Sequence, residues 1–280
     1  MVQTTEEEPG QREKTSRPPL GAGTAPGAPS GPSRQLPPVQ VVGHWSGKAR
    51  EDAVQRMFTA IARGYDLNNS LLSFGLHHRW KREAVRDVPA LERGWALDLG
   101  AGTGDLALRL THRMGAGGHV AAVDLNAAML RVGLHKIRDQ HLQARITCLR
   151  GNADTLAARD ESMDVVTAGF CIRNVGNLPQ TFREIRRILK PGGRFVCLEF
   201  SHPANAVLRR LYDWYSFRLL PCIGRVVARD STGVYDYLPA SIRTFPDQAR
   251  LCGLLREAGF REVDYRNLTG GIVAIHIAVK

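Results

Sequence analysis

Trp95–Asp105, WALDLGAGTGD, is the stretch whose reading decides the fold. Trp95, Ala96, Leu97 and Leu99 form a short apolar run that reads as a buried strand, with Asp98 at its carboxyl end. Gly100, Gly102 and Gly104 follow at alternate positions, and Leu106, Ala107, Leu108 and Leu110 open a helix-compatible run. Glycine permits positive φ and lacks the Cβ that would keep a ligand off the backbone. A strand, a glycine turn and a helix N-terminus make a seat where a polar cofactor meets main-chain N–H groups. The competing reading is an ordinary strand–helix turn.

Spacing separates cofactors. A dinucleotide fingerprint runs G-x-G-x-x-G. Here the third glycine comes one residue early, after an Asp, which resembles the pattern of class I methyltransferases that bind S-adenosylmethionine (SAM). His119–Val123 reads as a second strand ending at Asp124. An acidic side chain about 20 residues past the glycines can take both ribose hydroxyls. Asn126 is a candidate cap for the next helix. A third strand, Arg145–Leu149, leads into Gly151-Asn152-Ala153-Asp154, whose short polar side chains suit an adenine edge or, equally, a solvated turn.

Met163–Phe170 reads as a fourth strand and Thr181–Leu189 as a helix. Lys190-Pro191-Gly192-Gly193 supplies a turn and Arg194–Phe200 a fifth strand. Pro246–Ala258 reads as a helix, and Phe260–Arg266 with Ile272–Val279 as a terminal hairpin. Strands alternating with helical stretches imply an α/β, Rossmann-like doubly wound sheet. It should be mostly parallel with a C-terminal antiparallel hairpin strand, the class I SAM-dependent methyltransferase arrangement.

Residues 1–42 read as a disordered Pro/Gly-rich tail: too little apolar surface is present to offset chain entropy. The folded domain then spans 43–280, with an N-terminal helical cap at about 48–88 and an insertion at about 201–245. Ala53, Val54, Met57, Phe58 and Ile61 give the first cap helix its period. Arg63–Asn69 reads as a turn, and a second helix runs through Trp80 to Val85.

The net charge of +11 belongs to the folded part, because the first 47 residues cancel their own charges. Such a balance allows nucleic acid, an anionic membrane or an acidic substrate as partner. Five scattered cysteines without a C-x-x-C argue against a disulfide framework or a zinc site. No run reaches the ~18 apolar residues of a membrane span. The N-terminus lacks a signal-peptide core, so a cytoplasmic protein is expected, peripheral to the inner face of the cell membrane if it touches lipid.

Beyond these patterns the chain resembles the C-methyltransferases of ubiquinone and menaquinone biosynthesis over nearly its whole length from about Gly43. Tyr65-Asp66, Leu72-Ser73-Phe74-Gly75, Leu97–Asp105, Ile172-Arg173-Asn174-Val175, Leu198-Glu199-Phe200-Ser201, Tyr235–Leu238 and Asn267-Leu268-Thr269 carry the resemblance. It implies SAM as cofactor, with Tyr65, Asp98, Gly100, Gly102, Thr103, Gly104, Asp124, Asn152, Ala153 and Gly169 as cofactor-binding residues. Two positions depart from the family pattern: Gly169 stands where serine is usual, and Cys171 where glycine is usual.

The implied reaction methylates a ring carbon of a polyprenyl hydroquinone, demethylmenaquinol ahead of 2-polyprenyl-6-methoxy-1,4-benzoquinol. A phenolic pKa is about 10, so the site must favour ring ionisation. Arg173 stays protonated and cannot be the base, but can stabilise an oxyanion or orient a water. Asn174 and Tyr235 are its expected partners, and His202 and Asp230 are candidate proton acceptors. The sulfonium of SAM already carries its leaving group, so no metal is expected.

Ala204–Ala228 is amphipathic and arginine-edged, suited to a tail groove, to an anionic membrane surface, or simply to a core helix with a basic side. Two other classes stay open. One is a non-catalytic SAM-fold subunit of a quinone-synthesis complex, with a homo-oligomer as a further assembly. The other is a nucleic-acid methyltransferase, against which stands the lack of the usual amine-directed and cytosine-directed motifs; no nucleic acid is expected as partner.

Overall fold

The computed structural model describes residues 47–219 and 233–280, without the side chain of Tyr235. The expected tail at 1–42, and Leu220, Arg225 and Asp230, lie outside the described residues.

Three helices, not two, precede the sheet: α1 Gly47–Ile61, α2 Tyr65–Leu72 and α3 Leu76–Arg86. The stretch expected to be a turn, Arg63–Asn69, is a short 3-10 turn that passes into α2. Its Gly, Asp and Asn residues are weak helix formers. Asp66 favours the first turn of α2 electrostatically, and packing overrides the weak propensity.

β1 Leu91–Leu99, β2 Met114–Asp124, β3 Ile146–Arg150, β4 Met163–Gly169, β5 Leu189–Phe200, β6 Arg261–Leu268 and β7 Val273–Val279 form one sheet in the order β3-β2-β1-β4-β5-β7-β6. Only β7 runs against its neighbours, as the final hairpin requires. Lys190–Gly193 is a wide bulge within β5: Leu189 faces Met163, and pairing resumes at Arg194 with Val165. The expected turn is thus present inside a longer strand.

Helices cover both faces. α3, α4 (Asp105–Thr111) and α5 (Ala127–Asp139) share a core with Ala96, Val120, Ala122, Val165 and Leu198. α6 (Leu178–Ile188) and a helix at Gln248–Glu257 share the opposite one with Leu97, Leu99, Val166 and Phe195. The period-two alternation of β1 explains the division, odd residues to one side and even to the other. The chain leaves β1 toward β2 on one side and continues through β4 on the other. That switch point opens a crevice at the carboxyl ends of the strands. Two further helices, α7 (Ala206–Trp214) and α8 (Val234–Thr244), belong to the insertion after β5. The helix at Gln248–Glu257 is α9. No helix among the described residues is long and apolar enough to cross a membrane.

Candidate active site

The glycine corner after β1 forms one wall of a cleft. Gly100 has φ 63°, and a Cβ there would lie 2.3 Å from the Cys171 Cβ. Gly102 has φ 56° and keeps the backbone open beside Met129. Asp124, at the end of β2, closes the next side. One of its oxygens accepts the Gly102 N–H at 2.8 Å and the other the Asn126 N–H at 2.7 Å. A carboxylate offers about four lone-pair sites, so acceptor capacity remains for a diol. Burial raises the Asp124 pKa, and the N–H groups of Asn126 and Gly102 work against that rise.

Asn152 and Ala153, Gly169, Tyr65 and Asn174 complete the lining together with Glu51, Gln55 and Phe58 of α1. Glycines without Cβ, a carboxylate with spare acceptors and a short amide loop fit a cofactor with an amino acid, a ribose and an adenine. The sequence leads one to expect a helical cap here, but not that Glu51 and Gln55 of α1 line the cleft. The signal for this was the placing of Glu51 and Gln55 on the same side as Val54 and Phe58.

Three expected cofactor residues lie outside this lining. Asp98 faces the opposite way from Leu97 and Leu99, as alternation demands, and is buried on the α3–α4 side. There it accepts the Thr167 hydroxyl at 3.0 Å, and burial pushes its pKa up to about 7 against the Thr167 hydroxyl and the Ala107 N–H, which favour the charged form. Thr103 points toward the cap, its hydroxyl donating to Asp66 at 2.6 Å. Gly104 heads α4, where a Cβ would touch Gly133 of α5 at 3.5 Å. These residues shape and anchor the corner.

The two departures from the family pattern are sterically complementary to their surroundings. The Cys171 thiol occupies the space beside Gly100 and donates to the Leu99 carbonyl at 3.0 Å. Burial pushes this thiol well above its usual pKa, so it stays protonated. A side chain at Gly169 would press on Leu106 at 3.2 Å.

A second cavity, of about 390 Å³, adjoins the first. Phe58, Tyr65 and Phe170 line both and form a common wall. Phe170 sits at φ 59°, a strained setting for an aromatic residue. Leu72, Leu76, Trp80, Phe200, Tyr212 and Tyr237 make the second cavity apolar. Trp80 and Phe200 pack edge-on, and Phe170 and Phe200 lie 4.8 Å apart.

Arg173 reaches this second cavity, not the cofactor cleft. Its Nη1 donates to Glu199 at 2.6 Å and to the Phe170 carbonyl at 2.7 Å, and its backbone N–H donates to the other Glu199 oxygen at 3.2 Å. Its guanidinium lies 5.3 Å from the centre of the Phe200 ring. Burial disfavours its charge, but Glu199 outweighs this and raises its pKa. The buried Nε has no partner among the described residues. The guanidinium is therefore a neutralised, fixed donor and not a free cation.

Asn174 faces the cofactor cleft, and its Oδ1 accepts the Tyr237 hydroxyl at 2.9 Å. That hydrogen bond crosses from one cavity to the other. Tyr237 is not among the residues expected from the sequence, and the side chain of Tyr235, which is, lies outside the described residues. His202 lies off the site, its Nε2 3.2 Å from the Phe245 carbonyl. His77, also unread in the sequence, lines the apolar cavity, with Nε2 3.0 Å from the Ser70 hydroxyl. Burial brings its pKa down to about 4, so it is neutral near pH 7.

Side chains fasten the cap over the site. Arg50 donates to the Arg173 carbonyl at 3.1 Å, and Asn126 both caps α5 and donates to the Gln55 carbonyl at 2.9 Å. Lys136 bridges Asp66 and Asp105, and Lys81 reaches Asp105 at 2.9 Å. Burial opposes ionisation of Asp105, yet the two lysines hold its carboxyl far below the usual range. Asp105 also approaches His77 and His78, but its charge is already met by ammonium groups.

The profile of the ubiE/COQ5 methyltransferase family matches residues 46–280. A ubiquinone/menaquinone biosynthesis C-methyltransferase of Idiomarina loihiensis is 43% identical over 232 residues, covering 82% of this chain and 92% of the relative. The corresponding protein of Vibrio campbellii is 44% identical, covering 81% and 87%. Among solved structures, a SAM-dependent methyltransferase of Thermotoga maritima superposes with a TM-score of 0.57 at 18% identity, covering 80% of this chain and 98% of that one. With its glycine corner, acidic β2 terminus and antiparallel β7, the chain belongs to the ubiE/COQ5 methyltransferase family and is a SAM-dependent methyltransferase.

Proposed function

We propose that the chain methylates a ring carbon of a polyprenyl hydroquinone, demethylmenaquinol becoming menaquinol. One observation carries this reading: an apolar cavity shares a wall with the cofactor cleft and is lined by a buried arginine that Glu199 holds in place and whose Nε–H has no partner among the described residues. A greasy ring bearing a hydroxyl matches both the apolar lining and that donor. The names of the curated relatives support C-methylation in quinone biosynthesis and cover both rings.

Gly100, Gly102, Asp124 and Asn152 would hold SAM, which would supply an electrophilic methyl group. The chain's task is to make a ring carbon nucleophilic. Loss of the neighbouring hydroxyl's proton to water drives electron density into the ring, and a donor fixed beside that oxygen stabilises the charge as it forms. The ring carbon gives up its own proton to water once it carries the methyl group. Glu199 holds the Arg173 guanidinium in position beforehand, so little reorganisation accompanies the step. Asn174 lines the cofactor cleft and Tyr237 the apolar cavity, and the hydrogen bond between them links the two.

Labelled SAM with each of the two reduced quinones tests the reading. Label in the naphthoquinol supports it. Label only in the benzoquinol reassigns the ring, and label in neither overturns C-methylation of quinols.

A further inference from the structure

Leu67 and Leu71 on α2, with Phe74 in the turn that follows, recur at i, i+4 and i+7 and are 64%, 46% and 78% exposed. Val207, Leu211 and Trp214 repeat that spacing on α7 and are 75%, 60% and 57% exposed. This spacing lays an apolar stripe along one side of a helix, a side that soluble proteins ordinarily bury.

The two stripes meet at the mouth of the apolar cavity. Phe74, Leu211 and Trp214 form its lip. Tyr215 joins the helices, donating to the Leu72 carbonyl at 2.7 Å with its ring 6.3 Å from that of Phe74. Phe74 is held outward at φ 50°, a conformation uncommon for a bulky residue. Arg210 and Arg218 lie beside the α7 stripe, exposed and without an ion pair among the described residues. Apolar side chains flanked by uncompensated cations match an anionic lipid surface.

We propose that these two stripes dock the cavity mouth on an anionic bilayer, so that the ring enters the protein while the tail stays in lipid. The proposal rests on the quinol reading for its substrate. A cavity of about 390 Å³ is at the small end for a drug-sized ligand. It holds a ring and the start of a tail, and the remaining isoprene units emerge across the lip. On a bilayer they never meet water.

Leu67 and Val207 lie on the stripes but outside the cavity lining, so their replacement isolates docking. The full chain should co-sediment with phosphatidylcholine vesicles containing phosphatidylglycerol, and less with phosphatidylcholine alone. L67E/V207E should weaken vesicle binding by about tenfold or more. It should keep wild-type turnover of a short-tailed quinol in solution and lose turnover of a long-tailed quinol in vesicles.

Absence of wild-type vesicle binding overturns the proposal. So does a concentration-dependent dimer in sedimentation that L67E/V207E abolishes, since a second copy would then cover the stripes. Equal loss of both activities in the variant overturns it too, by making the stripes part of the ring site. Vesicle binding needs no substrate, so it stands or falls separately from the quinol reading.

Discussion

The cofactor cleft and the apolar cavity share a wall but are made of different material. The cleft is built by backbone at the ends of adjacent strands: a glycine corner, two N–H groups on Asp124, and a short loop at Asn152. The cavity is built by side chains from α2, α3, α7, α8 and the ends of β4 and β5. Backbone sites depend on local sequence, whereas side-chain cavities are assembled from remote segments. The buried arginine belongs to the second kind, and the largest expected effects lie there.

Arg173→Lys keeps a cation for Glu199 and removes the Nε–H. Turnover should fall by about two orders of magnitude, in the range lost with an oxyanion donor, with SAM affinity within a few-fold of wild type by calorimetry. Arg173→Met should lose comparable turnover, and also about 3–5 kcal/mol of stability, because Glu199 is left buried and unpaired. A lysine variant with full activity would break the contrast between a fixed donor and a simple counter-charge.

Asp98 tests the foundation of the cofactor side. An unfolded carboxyl ionises near ~3.9, whereas Asp98 in the fold does so near 7. Between those values the folded state keeps a proton that the unfolded chain has released, so stability contributed below ~4 is lost as pH rises toward 7. The shift corresponds to something on the order of 4 kcal/mol. His77 and His276, both brought down to about 4 by burial, act in the opposite sense, losing stability as pH falls from ~6.5. Denaturant melts from pH 4 to 8 should therefore show Asp98→Asn gaining on wild type as pH rises. A constant difference would mean that Asp98 is ionised throughout.

Asp124→Ala removes the acceptors at the end of β2 and should weaken SAM binding by about 1–3 kcal/mol, read by calorimetry, with smaller losses in turnover at saturating cofactor. The smallest effect sits on the bridge between regions. Tyr237→Phe leaves Asn174 Oδ1 without its donor and should cost about 1 kcal/mol of stability. Turnover should fall several-fold, and a change in SAM affinity as large as that of Asp124→Ala would move Tyr237 onto the cofactor side.

The same division governs what the sequence could tell. WALDLGAGTGD, Asp124 and the final hairpin are local patterns, and the sheet and most of the cleft follow from them. Alternation along β1 is visible in Leu97 and Leu99, and it turns Asp98, which the resemblance places with the cofactor, onto the Thr167 hydroxyl and away from the cleft lining. α2 was hidden because its Asp and Asn residues, and the Gly64 before it, are turn formers, and its helicity comes from packing. The Arg173–Glu199 pair spans β4 and β5, and Tyr237 arrives from an insertion. No periodicity connects such residues, so the neutralised state of Arg173 could be seen only in three dimensions.

The common wall of Phe58, Tyr65 and Phe170 has a thermodynamic consequence. Two ligands that touch opposite sides of the same side chains share one coupling free energy, which need not be zero and must be reciprocal. Whatever factor bound SAM applies to the quinol dissociation constant, bound quinol applies to that of SAM. Four titrations close this box: each ligand alone, then each with the other at saturation. Replacing Tyr65 with leucine alters the wall without touching the glycine corner, and should change both ratios by one common factor.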